Sequence, residues 1–340
     1  MGDDTSEISC ANPDCRVVES GRCVEGLECT ACPNYGREMD SYEDGGSNAP
    51  SGQILSTCLD LVGAGTLTCA QASKLLRANE SRVIAIIGPQ DTGKTSLIAG
   101  LYDLFQLGPV DEINFSGSRT LHAFEQACHD ARAASKRGTP HINRTPLGEV
   151  QFYHLELSGG NAGTRLSLML GDRAGEDYMD AINDISVVDA FPEIRRADLV
   201  TMLVDGKKLL DSGARHNLIS DVTMILQALV EGAATSGCHR LALVLTKIDL
   251  LHKSDLQSRV ERDFDNLVSN IRKNFAGMFD IIEPFAVAAS PMTDSILRGT
   301  GLRELLRFWL TPALPPAHSR VARLPSSRAF GRLTALIDEE

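Results

Sequence analysis

Short apolar runs alternate with segments of helical periodicity through most of this chain. Strand-like runs fall at residues 82–87, 149–157, 165–170, 199–204, 241–245 and 281–287. Most are separated by segments whose apolar residues lie three and four positions apart, at 94–105, 176–188, 213–229, 256–275 and 302–310. Strands that alternate with helices favour a mostly parallel sheet covered on both faces. The pattern therefore predicts an α/β fold, a doubly wound three-layer sandwich.

The predicted domain organisation follows from where this alternation begins and ends. The flanking segments are cysteine-rich, polar or proline-rich, and they lack the regular alternation. The predicted units are a cysteine-rich segment at 1–40, a linker at 41–53, a main domain at 54–311 and a Pro-rich, basic C-terminal tail at 312–340.

Two parts of the main domain depart from the strand and helix alternation. Residues 54–76 have helical spacing with a glycine-rich break at 63–65, which predicts two short helices before the first strand. Residues 108–148 are too long for a simple connection. Helical spacing at 119–135 predicts that this insert contains a helix followed by a mobile loop.

A glycine-rich loop follows the first strand and opens a helix. It reads G-x-x-x-x-G-K-T, a spacing that lets backbone N–H groups and a helix N-terminus surround a phosphate. Lys94 is expected to bridge the β- and γ-phosphates, Thr95 to hold Mg²⁺ through its hydroxyl, and Ser96 to reach the α-phosphate. The predicted phosphate-binding residues are Gly88, Gln90, Asp91, Thr92, Gly93, Lys94, Thr95 and Ser96.

Two further polar motifs follow apolar strands. Asp172 and Gly175 form a D-x-x-G motif, in which the aspartate can hold Mg²⁺ and the glycine N–H can meet a γ-phosphate. Thr246, Lys247 and Asp249 form a T-K-x-D motif. The Asp249 carboxylate can accept hydrogen bonds from the N1–H and 2-amino groups of guanine, a donor pair that adenine lacks. Lys247 would cover the base and Thr246 would tie this loop to the phosphate loop. The alternative for the T-K-x-D motif is that it only caps the end of a strand in an ATPase.

Composition and charge narrow the possible partners and compartments. The net charge is −12, and eleven acidic and three basic side chains fall within residues 1–50. An acidic surface disfavours nucleic-acid binding. We find no run of about 18 apolar residues and no signal-peptide pattern, so we expect no membrane span and a cytoplasmic location. A myristoylation pattern begins at Gly2, but Asp3 and Asp4 disfavour it.

Five of the nine cysteines lie close together near the N-terminus. Two close pairs can each present both thiolates to one tetrahedral Zn²⁺, and so small a segment needs metal to hold it folded. The predicted zinc ligands of this zinc-ribbon-like segment are Cys10, Cys15, Cys29 and Cys32, with Cys23 as a spare or substitute. A disordered or redox-sensitive tail is the alternative.

Together the nucleotide motifs resemble the Ras-like, translation-factor-related class of P-loop GTPases over residues 82–310. The resemblance implies a six-stranded sheet in which the strand at 149–157 is antiparallel. It also implies a threonine before that strand that folds over Mg²⁺ and the γ-phosphate, which is Thr145 or, as the runner-up, Thr139. Ala289 is the candidate for a backbone N–H that meets guanine O6.

Three stretches are more narrowly similar to bacterial double-GTPase proteins. They cover residues 67–97, 115–146 and 195–209. Those proteins are encoded beside a second GTPase in predicted conflict or antiviral systems. The resemblance implies a partner GTPase and a signalling role in antiviral defence.

One departure from the Ras-like pattern affects the expected catalysis. Glu176 stands where these enzymes usually have the glutamine that orients water, and a carboxylate near a γ-phosphate is repulsive unless it is protonated or paired. Hydrolysis would then be slow or partner-dependent. Arg144 and Arg173 are candidate arginine fingers in cis, and a surface arginine that is paired locally is the alternative for each. We expect a Mg²⁺-dependent GTPase switch that positions water near Thr145, Gly175 and Glu176. The alternative is a GTP-loaded scaffold that does not hydrolyse GTP and recruits an effector through the zinc ribbon.

Overall fold

The computed structural model describes residues 65–137, 145–159, 165–252, 254–292 and 296–312. All of them belong to one compact unit, Asp60–Glu340. Several predictions fall outside these described residues. They concern the segments at 1–40 and 41–53, nearly all of the tail at 312–340, the candidate residues Thr139 and Arg144, and the cysteines Cys10, Cys15, Cys23, Cys29 and Cys32.

Seven strands of the described residues form one sheet, in the order β2-β3-β4-β1-β5-β6-β7. They are β1 (Ser81–Ile87), β2 (Ile113–Gly117), β3 (Gln151–Gly159), β4 (Arg165–Asp172), β5 (Leu199–Asp205), β6 (Arg240–Thr246) and β7 (Ile281–Ala286). All neighbours from β4 to β7 pair in parallel, whereas β3 is antiparallel to both of its neighbours. The mostly parallel sheet with an antiparallel strand near 149–157 is therefore confirmed.

The predicted number of six strands is wrong because β2 adds a seventh. β2 comes from within the insert and pairs with the outer edge of β3. Its residues alternate between half-buried and exposed, and its register shifts between Phe115 and Gly117. A short edge strand of this kind carries few apolar residues, so its sequence gives only a weak strand signal.

The predicted helices within the described residues appear in the predicted order with changes at their ends, and three short helices of four or five residues are additional. They are α1 (Cys69–Ala78), α2 (Lys94–Gln106), α3 (Leu121–Arg137), α4 (Gly175–Asn183), α5 (Pro192–Arg195), α6 (Gly206–Leu210), α7 (Arg215–Glu231), α8 (Ile248–Leu251), α9 (Gln257–Asn274) and α10 (Leu302–Leu310). The helix predicted at 176–188 ends at Asn183, because the Asp184 carboxylate accepts the Ser186 N–H and starts a 3₁₀ helix, Ile185–Ala190. Of the two helices predicted at 54–76, the second is α1 and the first falls outside the described residues.

Helices cover both faces of the sheet, which confirms the predicted three-layer sandwich. Alternate residues of β1 face different cores, as the period of two in a strand requires. Ile84 and Ile86 pack with side chains of α2, α3 and α10, whereas Ala85 and Ile87 pack with side chains of α4, α7 and α9. None of the described helices is long and apolar enough to cross a membrane.

This topology brings the chemically distinctive loops to one edge of the sheet. β4, β1, β5, β6 and β7 are parallel neighbours, so their carboxyl ends lie side by side. In open α/β sheets, ligands bind outside this edge. The loop after β1, Asp172 at the end of β4 and the Thr246 loop after β6 all lie there.

Candidate functional site

The glycine-rich loop between β1 and α2 adopts backbone conformations that are unfavourable for residues with a Cβ. Gly88 and Gly93 have φ angles of 151° and 94°, and Asp91 has a φ of 64°. Positive φ is costly for residues with a Cβ, so the glycines suit these turns. Gly93 directly precedes α2, whose first backbone N–H groups have no partner within the helix. The loop therefore ends at a helix N-terminus that favours an anion.

Lys94 folds back into this loop. Its Nζ donates hydrogen bonds to the carbonyl oxygens of Gly88, at 3.0 Å, and Pro89, at 3.2 Å. Burial lowers the pKa of the Lys94 ammonium, while the nearby Asp172 and Glu176 carboxylates raise it. Within the described part of the chain, its hydrogen bonds go to loop carbonyls and to no carboxylate. A buried cation of this kind is well placed for an anionic ligand, which is compatible with the predicted contact to the β- and γ-phosphates.

Two threonines and an aspartate from three separate segments meet beside the loop. The Thr95 hydroxyl donates to Asp172 Oδ2 at 2.8 Å, and the Thr145 hydroxyl donates to the same oxygen at 3.4 Å. Asp172 is buried, and this burial raises the pKa of its carboxyl. Its other oxygen, Oδ1, is buried without a hydrogen-bond partner in the described part of the chain.

This arrangement fits the predicted Mg²⁺ site. Mg²⁺ takes hard oxygen ligands and is usually held by one or two carboxylates or hydroxyls together with phosphate oxygens. Asp172 offers an unpartnered carboxylate oxygen, and Thr95 and Thr145 bring two hydroxyls to the same place. The position of Thr145 supports it as the threonine that the Ras-like resemblance implies.

Gly175 packs directly on the phosphate loop. A Cβ added at this position would lie 2.4 Å from the Gln90 backbone nitrogen and 2.5 Å from the Pro89 carbonyl carbon. Contacts this short are forbidden by van der Waals repulsion, so only glycine allows the D-x-x-G motif to approach the loop so closely. The approach places the start of α4 beside the loop residue Gln90.

The Thr246 loop is also tied to the phosphate loop. The Thr246 hydroxyl donates to the Thr92 carbonyl oxygen at 2.9 Å, which is the link that the sequence predicts. Lys247 adopts a φ of 58° and its Nζ donates to the Asp91 carbonyl oxygen at 2.6 Å. Asp249 is buried, and its Oδ2 accepts the Met292 N–H at 3.0 Å. One oxygen of the candidate base-reading carboxylate is thus held by a backbone N–H of the protein.

Ala289 lies in the segment after β7, and it is buried. A Cβ added at Gly100 of α2 would lie 3.1 Å from the Ala289 carbonyl oxygen, so this segment runs close beside that helix. Its predicted contact to guanine O6 stays a prediction.

The sequence motifs miss two residues that contact this site. Asp205 ends β5 and forms an ion pair with Lys247, at 2.7 Å between Oδ2 and Nζ. Lys208 reaches the phosphate loop from α6, where its Nζ donates to the Gln90 carbonyl oxygen at 3.2 Å. The position of Asp205 in the sequence could have indicated its role. Polar residues at the end of a central parallel strand lie at the ligand-binding edge of the sheet.

The structure does not support Arg173 as an arginine finger. Its guanidinium is 2% exposed and pairs with Glu193, at 2.8 Å, and Asp177, at 3.0 Å.

Glu176 is half-buried, and its side chain makes no hydrogen bond or ion pair within the described residues. The same part of the chain contains no group of three or more His, Cys, Asp or Glu side chains that could hold a metal ion.

Comparison with known proteins identifies the family context of this site. The model of a protein family described as Double-GTPase 2 matches residues 82–310. The matched range contains the phosphate loop, Asp172, Gly175 and the Thr246 loop. A search among curated proteins gave no match.

Proposed function

Because the chain belongs to the Double-GTPase 2 family of P-loop GTPases, we propose that it is a switch that binds GTP with Mg²⁺ and hydrolyses it to GDP and phosphate. The observation that carries this proposal is the meeting of Thr95 and Thr145 on the buried Asp172 carboxylate beside Lys94. Thr145 would be drawn to this site when Mg²⁺ and a γ-phosphate are bound, and released after hydrolysis.

The residues take distinct roles in this proposal. Lys94 and the N-terminus of α2 would neutralise phosphate charge, and Gly175 would donate its N–H to the γ-phosphate. Thr95, Thr145 and Asp172 would hold Mg²⁺, which supplies positive charge to the phosphate oxygens. The attacking water would be oriented by backbone groups near Thr145 and Gly175, with Glu176 or a partner assisting.

Glu176 favours slow or partner-dependent turnover. Burial lowers the pKa of the Lys94 ammonium, and the Glu176 carboxylate is near enough to oppose that lowering, yet Glu176 makes no ion pair within the described residues. A partner that supplies an arginine can raise the rate by roughly 10³–10⁵. We therefore propose that a second GTPase or an effector protein completes the site, within a bacterial conflict or antiviral defence system.

Multiple-turnover phosphate release tests the proposed hydrolysis. We expect purified protein with excess GTP and Mg²⁺ to release more than one phosphate per chain. We expect the rate to rise when a second GTPase, if one is encoded beside this gene, is added as the partner. The second candidate function is a GTP-loaded scaffold, which the unpaired Glu176 carboxylate also favours. Tight GTP binding without phosphate release, even with that partner, would select the scaffold.

We also propose that the N-terminal cysteines hold one Zn²⁺. A reducing, cytoplasmic compartment would keep these thiols available as metal ligands. Purified protein is expected to contain about one zinc per chain. Replacing Cys29 and Cys32 together by Ser should remove it, because Cys10, Cys15 and Cys23 would leave at most three thiolates and a structural Zn²⁺ takes four ligands. Replacing Cys69 by Ser serves as the control, because Cys69 is exposed and lies in the main domain. Elemental analysis that finds no zinc in the wild-type protein would rule the site out.

A further inference from the structure

The segment that carries Thr145 is held at both of its ends. Thr145 donates to Asp172, as described above. Three residues later, the Gly148 N–H donates to both oxygens of Asp177, at 3.2 Å to Oδ1 and 3.0 Å to Oδ2. Gly148 has a φ of 80°, a left-handed conformation that favours glycine. The turn after Thr145 is therefore shaped to place a backbone donor on the Asp177 carboxylate.

Asp177 is itself fixed by Arg173. Arg173 Nη1 lies 3.0 Å from Asp177 Oδ2, and the rest of the guanidinium is held by Glu193 and by the Ala190 carbonyl oxygen. The guanidinium carbon also lies 4.8 Å from the centre of the Phe191 ring. A planar guanidinium that is engaged on several edges has one orientation, so the carboxylate that it holds has one position.

Asp177 lies in the same helical turn as the residue that meets the phosphate loop. It is the third residue of α4, and Gly175, which packs on Gln90, is the first. Both lie in one helical turn, so a shift of Gly175 towards or away from a γ-phosphate shifts Asp177 as well. The Asp177 carboxylate would pass this shift to Gly148 and so to Thr145.

We propose that Asp177, held by Arg173, is a positioning residue that couples the Thr145 segment to the D-x-x-G motif. This inference rests on the proposed function, because the coupling matters only if the site distinguishes GTP from GDP. Asp177 acts through Thr145 and touches neither nucleotide nor Mg²⁺ in this account. Its loss should therefore weaken binding of the triphosphate and spare the diphosphate, for which Thr145 has no γ-phosphate to cover.

The first test compares the GTP and GDP affinities of Asp177→Ala in the presence of Mg²⁺. We expect GTP affinity to fall on the order of tenfold, the effect of losing a hydrogen bond to a charged group, and GDP affinity to stay within about twofold. Asp177→Asn keeps an oxygen for the Gly148 N–H and should show a smaller loss. Asp180→Ala is the matched control, because Asp180 is an exposed aspartate on the same helix. It should leave both affinities unchanged.

The second test asks whether Asp177 acts through Thr145. In a Thr145→Ala background, adding Asp177→Ala should cause no further loss of GTP affinity, because the residue that it positions is already gone. Equal losses for GTP and GDP, or additive losses in the double variant, would overturn the coupling. If the wild-type protein does not bind GTP, the proposed function is wrong, and this inference is wrong as well. Normal wild-type binding with an unaffected Asp177 variant would overturn the inference alone.

Discussion

Replacing Asp249 by Asn is expected to change the base preference of the protein from GTP to XTP, by on the order of 10²-fold or more in the ratio of the two affinities. Asp249 is 3% exposed and follows β6 at the ligand-binding edge of the sheet. A carboxylate matches the two donors of guanine. Xanthine has a carbonyl in place of the 2-amino group, and an amide NH₂ can donate to it. A buried polar group left without its match is costly, so each side chain should reject the other base.

The measurement is the affinity for GTP, XTP and ATP with Mg²⁺, on the wild type and on Asp249→Asn. The fold should tolerate the change, because the amide oxygen can still accept the Met292 N–H that Asp249 accepts now. Asp255→Asn is the control, since Asp255 is an exposed aspartate a few residues further along the chain. If the wild type binds ATP as tightly as GTP, or if the Asp249 variant keeps its preference for GTP, Asp249 does not read the base.

The central fold could be predicted because its strands are buried on both faces. Every residue of β5 and β6 is buried, so both strands appear in the sequence as mostly apolar runs between helical segments, with Thr201 as the one polar residue inside them. β2 does not have this property. Two of its five residues are exposed and the other three are only half-buried, and its pairing joins Ile113 to Gly159, far along the chain. Nothing local in the sequence indicates such a pairing.

The site shows the same division between local and long-range information. The residues of the phosphate loop have a fixed spacing because one short turn must surround a phosphate, and the strand order then places Thr246 beside Thr92. The contact between Asp177 and Gly148 depends instead on how two loops pack. In the sequence, Arg173 is a candidate arginine finger because it flanks the expected position of the γ-phosphate. However, neighbouring side chains of an extended chain point in opposite directions, and Arg173 points to Glu193.

Replacing Asp172 by Asn is expected to remove most of the Mg²⁺ dependence of GTP binding. The wild-type protein should bind GTP at least about tenfold more tightly with Mg²⁺ than with a chelator, because the Asp172 carboxylate supplies both charge and an unpartnered oxygen to the cation. In the variant this ratio should approach one. An amide keeps an oxygen for the Thr95 and Thr145 hydroxyls but contributes no charge. Asp180→Asn, at an exposed position on α4, should keep the wild-type ratio.

The same substitution should not destabilise the nucleotide-free protein, which separates a lost ligand from a damaged fold. Burial raises the pKa of the Asp172 carboxyl above its ordinary value of 3.8, so folding disfavours the ionised form. The wild type therefore loses stability from this group as the pH rises above 3.8, whereas an amide has no charge to desolvate at any pH. At neutral pH we expect nucleotide-free D172N to melt no lower than the wild type, while stabilisation by GTP and Mg²⁺ is largely lost. A variant that melts much lower, or that keeps its full response to Mg²⁺, would mean that Asp172 serves the fold rather than the cation.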